Sequence, residues 1–320
     1  MQLKLKRQAR VGVLGASGRL GTLIVREAAS AGLETIPMSS RTDLAQSSAL
    51  AEIEALIIAS PSRNSDVHGL ALEAGCHVID VGIDETAIRS ALAFDDKARD
   101  ERRRIVLMAG LAPGMSGMMA LDFVRRFPAA KAITVVLVQS SQGAAGKRGV
   151  SDMLDMLTDP LQPKAIDLKG LGDVVSGPNP RGFWLPTPER TFLKGQANGQ
   201  AVTYLTLFDA EWTNRGVEYL GRLRQSSQPL YRFAREILTS VKSKQPTPSS
   251  EDVHLVALAT EDNGEIVGRE ILSFVSDYGA TAKTACALTL SALSGEPPFG
   301  AGHPSAFTDL SSLSAFATGD

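Results

Sequence analysis

Residues 10–112 alternate two hydrophobic rhythms. Short apolar runs, "RVGVLG", "ALIIAS", "HVIDVG" and "RIVLMAG", are separated by stretches whose apolar residues recur at helical spacing. A short apolar run closed by glycine or a polar turn predicts a strand buried on both faces. "GTLIVREAASAG" sets Leu23, Ile24 and Ala28 at helical spacing and stops at Gly32, a helix with a C-terminal glycine. "LETIPMSS" predicts a second strand with Pro37 near its end, "NSDVHGLALEAG" a helix, and "ETAIRSALAFDDKARDERR" one long helix. Residues 40–54 fit either a short helix or a loop. The alternation predicts a parallel sheet with helices on both faces.

Beyond Gly114 the rhythm changes. "MSGMMALDFVRRF" predicts a helix and "AITVVLVQS" a strand. The glycine-rich loop "SQGAAGKRG" and the helix "VSDMLDMLTD" follow. Residues 164–212 are broken by Pro and Gly into strand-like pieces, "KAIDL", "RGFWLP", "RTFLKG" and "AVTYLTLF". "PLYRFAREILTSVKSK" is helical, "HLVALATEDNGEIVGREILSFVSD" a hairpin around Asp262-Asn263-Gly264, and "GATAKTACALTLSALSG" a final helix. The second half is therefore a mixed α+β unit. The Ser/Ala-rich tail after 303 either stays loose or packs on the first domain.

Composition narrows the class. The 320 residues are 43% hydrophobic and 21% charged, ordinary globular values. Lys and Arg number 33 against 35 Asp and Glu, so no global basic field exists to hold nucleic acid. Cys76 and Cys286 lie far apart in apolar settings and predict buried free thiols, not a zinc site or disulfide. "MQLKLKRQARVGVL" imitates a secretory signal, but its apolar part is short and runs straight into a glycine motif. No apolar run reaches the ~18 residues of a membrane span. The expectation is a soluble, cytoplasmic protein without membrane partners. The run "DDKARDERRR" predicts a solvated helix face, with Arg102, Arg103 and Arg104 at the negative end of the helix dipole.

The chemistry starts at "GASGRLG". After a buried strand, Gly15 permits the sharp turn, Gly18 lets backbone approach a pyrophosphate, and Gly21 lets the helix pack on the strand. Ala16, Ser17, Arg19 and Leu20 complete a loop whose helix amides face negative charge, and the Ser17 hydroxyl suits a phosphate oxygen. An NAD site carries an acidic residue at the end of the second strand. Here that end reads "MSSRT", and the nearest carboxylate, Asp43, lies beyond Arg41. Ser39, Ser40, Arg41 and Thr42 suit a 2′-phosphate, and Arg19 adds a second cation. NADP(H) is therefore expected over NAD(H).

In a doubly wound sheet, ligands sit at the carboxyl ends of strands. That rule selects Ala59, Ser60 and Pro61 from one strand end, Asp80, Gly82 and Asp84 from the next, and Gly110, Pro113 and Gly114 from the last. Asp80, and after it Asp84, is the candidate proton-transfer group, with capping of a turn as the alternative role for Asp80. His77 precedes its strand, and His68 and His254 read as structural or exposed. The histidines have no metal-ligand spacing.

Together, "GASGRLG", "SSRT", "HVIDVG", "AGLAPGMSGMMALDFV", "QSSQGAAGKRGVSDML" and the closing "TAKTACALTLSALSGEPPFG" resemble the saccharopine dehydrogenase (saccharopine reductase) family, over about residues 10–300. The resemblance implies a Rossmann domain over 1–118, an α+β substrate domain over 119–278, and a C-terminal helix and tail over 279–320 returning to the first domain. It implies hydride transfer at a carbon bearing nitrogen of an amino-acid-like substrate. The family's Pro-Glu near the C-terminus is absent, since Ser305 follows Pro304. The opening also resembles dihydrodipicolinate reductases, but the chain has no adjacent histidines. No tyrosine has the lysine four residues on that short-chain dehydrogenases use. For a substrate carboxylate the candidates are Arg148, Lys147 and Arg181, with Trp184 beside them. A sheet-based second domain supports a homodimer. The alternative is a non-catalytic NAD(P)-binding or sensing protein of the same fold.

Overall fold

A computed structural model describes residues 9–45, 48–60, 66–142, 147–159, 166–168, 171–172, 174–176, 180–242 and 252–318. The chain divides into two compact units, Met1–Met118 with Tyr278–Asp320, and Met119–Asp277.

The first unit opens with β1 (Arg10–Leu14), α1 (Arg19–Ser30), β2 (Glu34–Met38), a 3-10 turn at Ser48–Glu52, β3 (Ala55–Ile58), α2 (Val67–Glu73) and β4 (His77–Asp80). It continues through α3 (Glu85–Leu92), α4 (Asp95–Asp100), β5 (Arg104–Leu107) and the start of α5 (Met115–Arg126). All strands pair in parallel, in the order β5-β4-β3-β1-β2. Every residue of β3, β4 and β5 is buried, as their apolar-rich runs require. Pro37 lies on edge strand β2 opposite Val13, where a missing N–H disrupts no second ladder. This is a doubly wound Rossmann-type sheet whose order reverses at β1 and β3.

The long helix expected over 85–103 is two helices. The amides of Ala93 and Phe94 bond to Ser90 and Ala91, tightening the last turn of α3. Phe94 turns onto α2 at Gly69, where a Cβ would meet its ring at 2.8 Å. Asp95 and Asp96 then open α4, where the dipole favours acids.

In the second unit come β6 (Ala132–Gln139), α6 (Lys147–Leu157), β7 (Ile166–Asp167), β8 (Arg181–Trp184), α7 (Glu189–Phe192) and a 3-10 turn at Lys194–Gln196. After them come β9 (Ala201–Phe208), α8 (Glu211–Ser226), α9 (Gln228–Lys242), β10 (Val253–Thr260) and β11 (Ile266–Phe274). The sheet order is β11-β10-β6-β9-β8-β7, with only β6 and β9 parallel among these pairs. Val136, Val138, Leu205, Leu207, Val256 and Leu258 form one apolar face under Leu168, Leu171 and Val175. "RTFLKG" is helical, not a strand: Pro188 has helical backbone angles and starts α7. Helix α8 has no counterpart in the sequence reading.

The chain then returns to the first unit as α10 (Asp277–Leu293), β12 (Gly300–Gly302) and α11 (Leu310–Thr318). β12 adds a parallel sixth strand beside β5. Arg104 corrects the expectation of a solvated basic run. It is 2% exposed, and its guanidinium donates to the carbonyls of Pro298 (2.8 Å) and Glu296 (2.5 Å) and to Ser291 Oγ (2.8 Å). Arg103 Nε donates to the carbonyl of Gly75. Cys76 and Cys286 are buried and unpaired with each other, as expected.

His77 gives this packing a pH signature. Its Nδ1 accepts the backbone N–H of Arg104 at 3.0 Å. Burial, helped by Arg103 and Arg104, lowers its pKa from 6.5 to about 4. The fold holds the neutral ring, so this stability is present above pH 6.5 and is lost as pH falls from 6.5 towards 4. The expected loss is roughly 3 kcal/mol, at about 1.4 kcal/mol per pH unit. Urea midpoints between pH 7 and 4 check it. The slope should flatten in His77→Asn, whose amide oxygen accepts the same N–H without titrating, and an unchanged slope would contradict the assignment.

Candidate functional site

The glycine loop is held by backbone. The N–H groups of Gly15 and Ala16 both donate to Met38 O, at 2.8 and 3.2 Å, tying the loop to the end of β2. Gly18 N–H donates to Gly15 O, and Thr22 Oγ1 donates to Ala16 O and Gly18 O. Thr22 was not singled out in sequence; only the turn of α1 brings it back under the loop. Gly15 has φ +87°, and a Cβ there would stand 2.4 Å from Ser60 Oγ. A Cβ on Gly21 would stand 2.1 Å from Gly15 O, so helix and loop backbones touch.

The helices that follow β3 and β4 begin differently from α1. α2 is capped by Asp66, whose carboxylate accepts Gly69 N–H, and α3 by Asp84, which accepts Ala87 N–H at 2.7 Å. α1 starts at Gly18 with no side-chain cap among the described residues. The first amides of a helix have no intrahelical acceptor, so this end is suited to an anion. Ser60 Oγ, at the end of β3, is buried with no hydrogen-bond partner among the described residues. An uncapped helix end and an orphaned hydroxyl thus flank the point where the strand order reverses. These residues fit a dinucleotide phosphate.

The strand ends form one laced edge. Ala59 N–H donates to Leu14 O, Val81 N–H to Ile58 O, and Ala109 N–H to Asp80 O. Ser39 Oγ accepts Arg41 N–H, closing the turn after β2 and leaving Arg41 and Ser39 exposed, with Ser40 and Thr42 half-buried. Asp43 Oδ1 accepts Ala45 N–H at 3.2 Å. Arg19 lies over the Tyr278 ring, 5.5 Å from its centroid. Ser17 is exposed, and Ala16 and Leu20 are half-buried. Pro61 lies outside the described residues.

Asp80 is 5% exposed and both its oxygens are engaged. Oδ2 meets His68 Nε2 at 2.8 Å, and Oδ1 accepts Gly82 N–H at 2.7 Å. These two contacts hold the turn after β4. Asp84 caps α3. His68, 4% exposed on α2, is the partner sequence reasoning missed; twelve residues and a strand separate the two. Gly110, Pro113 and Gly114 form a buried turn. Gly110 N–H donates to Pro113 O, Leu111 N–H donates to Thr281 Oγ1, and a Cβ on Gly114 would stand 2.3 Å from Gly110 O.

In the second unit, Lys147 and Arg148 belong to the first turn of α6, not to the preceding loop, and their side chains lie outside the described residues. Arg181 Nη1 holds both oxygens of Glu218, at 3.0 and 3.1 Å. Trp184 packs on the apolar sheet face, with Arg190 5.0 Å from its ring centroid. Among the described residues no cluster of His, Cys, Asp and Glu suits a metal, and no helix is long and apolar enough to cross a membrane.

No family model and no curated protein matches the chain. Solved structures do. Saccharopine dehydrogenase (L-Glu forming) from Saccharomyces cerevisiae superposes with a TM-score of 0.55 at 11% identity, covering 97% of this chain and 96% of that one. An engineered D-amino acid dehydrogenase bound to NADP+ superposes with a TM-score of 0.51 at 14% identity, covering 93% of each. At these identities the likeness establishes the fold.

Proposed function

We propose that this chain is an NAD(P)-dependent oxidoreductase, that it prefers NADP(H), and that it acts at a carbon bearing nitrogen of an amino-acid-like substrate. The observation that carries the cofactor reading is that, among the described residues, the start of α1 has no side-chain cap and the Ser60 hydroxyl beside Gly15 has no hydrogen-bond partner. Gly15–Gly21 and Ser60 hold the pyrophosphate; Ser39, Ser40, Arg41 and Thr42 hold the ribose end. The 2′-phosphate preference is supported by exposed Arg41 and by Asp43, whose carboxylate is engaged by Ala45 N–H. When bound, the nicotinamide supplies the hydride chemistry, and the chain's own residues orient it. The His68–Asp80–Gly82 chain of contacts fixes the turn after β4, so Asp80 is a positioning residue in this reading. The substrate class is supported by the fold shared with two amino-acid dehydrogenases.

The first test is titration of NADPH and NADH into the pure protein. NADPH is expected to bind more tightly. Arg41→Ala should weaken NADPH about 10- to 100-fold, some 1.4–2.8 kcal/mol, while leaving NADH unchanged. Equal or tighter NADH binding by the unaltered protein would sink the preference. NADPH consumption with 2-keto acids and amines then tests the reaction. One observation favours a binding protein without turnover: both strand-end carboxylates, Asp80 and Asp84, are engaged with backbone. Tight NADPH binding with no turnover across such a panel would decide for that reading.

A further inference from the structure

The turn after β4 presents an isoleucine to solvent and fixes it from both sides. Ile83 is 58% exposed, the most exposed large apolar side chain among the described residues of the first unit. A lone exposed isoleucine needs no explanation by itself. Its support does. Asp80 Oδ1 accepts Gly82 N–H at 2.7 Å, and His68 Nε2 lies 2.8 Å from the other carboxylate oxygen. Asp80 and His68 are both buried. A Cβ on Gly82 would stand 2.8 Å from Asp80 Oδ1, so only glycine lets the carboxylate close on this turn. On the far side, Asp84 accepts Ala87 N–H at 2.7 Å and opens α3. Ile83 thus sits between two residues that cannot shift without breaking a hydrogen bond.

Its place along the sheet edge matters as much as its exposure. In the order β5-β4-β3-β1-β2, β4 lies two strands from β1, on the side away from β2. At ~4.8 Å per strand that is on the order of 10 Å along the carboxyl edge. The dinucleotide reading puts the pyrophosphate at the glycine loop and one ribose on the β2 side, at residues 39–42. A dinucleotide lies across the crevice where the strand order reverses, so its other half runs towards β3 and β4. That half ends in a planar ring, uncharged when reduced and cationic when oxidised. A fixed apolar tip suits such a ring, because contact removes apolar surface of both from water.

We propose that Ile83 is the residue on which the nicotinamide ring of the dinucleotide packs, held in place by the His68–Asp80–Gly82 contacts. This rests on the dinucleotide reading above, and adenosine 2′,5′-bisphosphate separates the two, since it keeps the phosphorylated adenosine and lacks the ring. Ile83→Ala should weaken NADPH about 5- to 10-fold and leave the bisphosphate unchanged. Ile83→Leu should recover most of that loss. The bound NADPH should fluoresce more strongly than free NADPH, and less so in Ile83→Ala. Ile83→Asp adds a charge readout. A carboxylate attracts the cationic oxidised ring, so the ratio of NADPH to NADP+ affinities should move at least about fivefold towards NADP+. The side chain is exposed, so these variants should keep the circular dichroism of the unaltered chain. Full NADPH affinity in Ile83→Ala overturns the proposal, as does an equal loss of NADPH and bisphosphate, or an unchanged ratio in Ile83→Asp. Each of these leaves the dinucleotide reading standing. If the unaltered chain binds neither NADPH nor the bisphosphate, that reading falls and this proposal falls with it.

Discussion

Arg104→Met should lower the stability of the first unit by about 2–4 kcal/mol. The guanidinium reaches three acceptors on the returning segment, the Glu296 and Pro298 carbonyls and Ser291 Oγ. Each hydrogen bond from a charged donor contributes about 1.5–3 kcal/mol, and stranded buried carbonyls add their desolvation. Relief from burying a cation offsets part of the loss, which sets the lower end of the range. The Phe307 ring, its centroid 5.5 Å from the guanidinium carbon, loses its partner as well. Urea unfolding measures the change. Limited proteolysis locates it, because residues after Ser294 should be cut first once β12 is released from β5. Arg104→Lys should recover less than half, since an ammonium cannot span three acceptors in a planar fork. A Met variant with wild-type stability and protection would show that β12 is held by other contacts.

Arg104 also shows where sequence reading runs out. β3, β4 and β5 were legible because each is a short apolar-rich run buried along its whole length. The glycine loop was legible because three separate steric needs put glycine at a spacing of three. "DDKARDERRR" looked solvated because nothing local distinguishes Arg104 from Arg102; only the arrival of residues 291–298 makes it a buried anchor. β12 is "GAG", which has no strand propensity and exists because β5 offers an edge. α8 was missed for another reason. Only Asn214, Val217 and Leu220 are buried along it, and Gly216 and Gly221 blur its rhythm. Its support is Asn214, whose side chain bonds both N–H and C=O of Phe208, together with surface pairs such as Glu211–Arg215. The site followed the same division. Gly15, Ser60 and Asp80 were reachable from strand ends, whereas the lack of a Ser60 partner among the described residues and the His68 contact depend on packing alone.

The second large effect falls on the loop itself. Gly21→Ala should weaken NADPH binding at least about 100-fold, close to 3 kcal/mol. The new Cβ would stand 2.1 Å from Gly15 O, 2.7 Å from Gly15 C and 2.8 Å from Ala16 Cα, all backbone atoms that no rotamer change can clear. Either α1 or the loop must move. Movement of the loop breaks the paired bonds from Gly15 and Ala16 to Met38 O and re-aims the amides at the start of α1. Strain of this kind costs about 1–3 kcal/mol in stability, so the variant should fold and the binding loss should be measurable by itself. Gly32→Ala is the control. Its φ of +81° brings a left-handed backbone penalty of about 1–2 kcal/mol instead of a clash, because nothing lies within 4 Å of the added methyl. It should lose stability and keep NADPH affinity. Ser60→Ala should do the reverse, losing several-fold in affinity while keeping or gaining stability, because its hydroxyl has no partner to lose among the described residues. If Gly21→Ala bound NADPH like the unaltered chain, the glycine loop would be a strand-to-helix turn and no more, and the crevice between β1 and β3 would need another ligand.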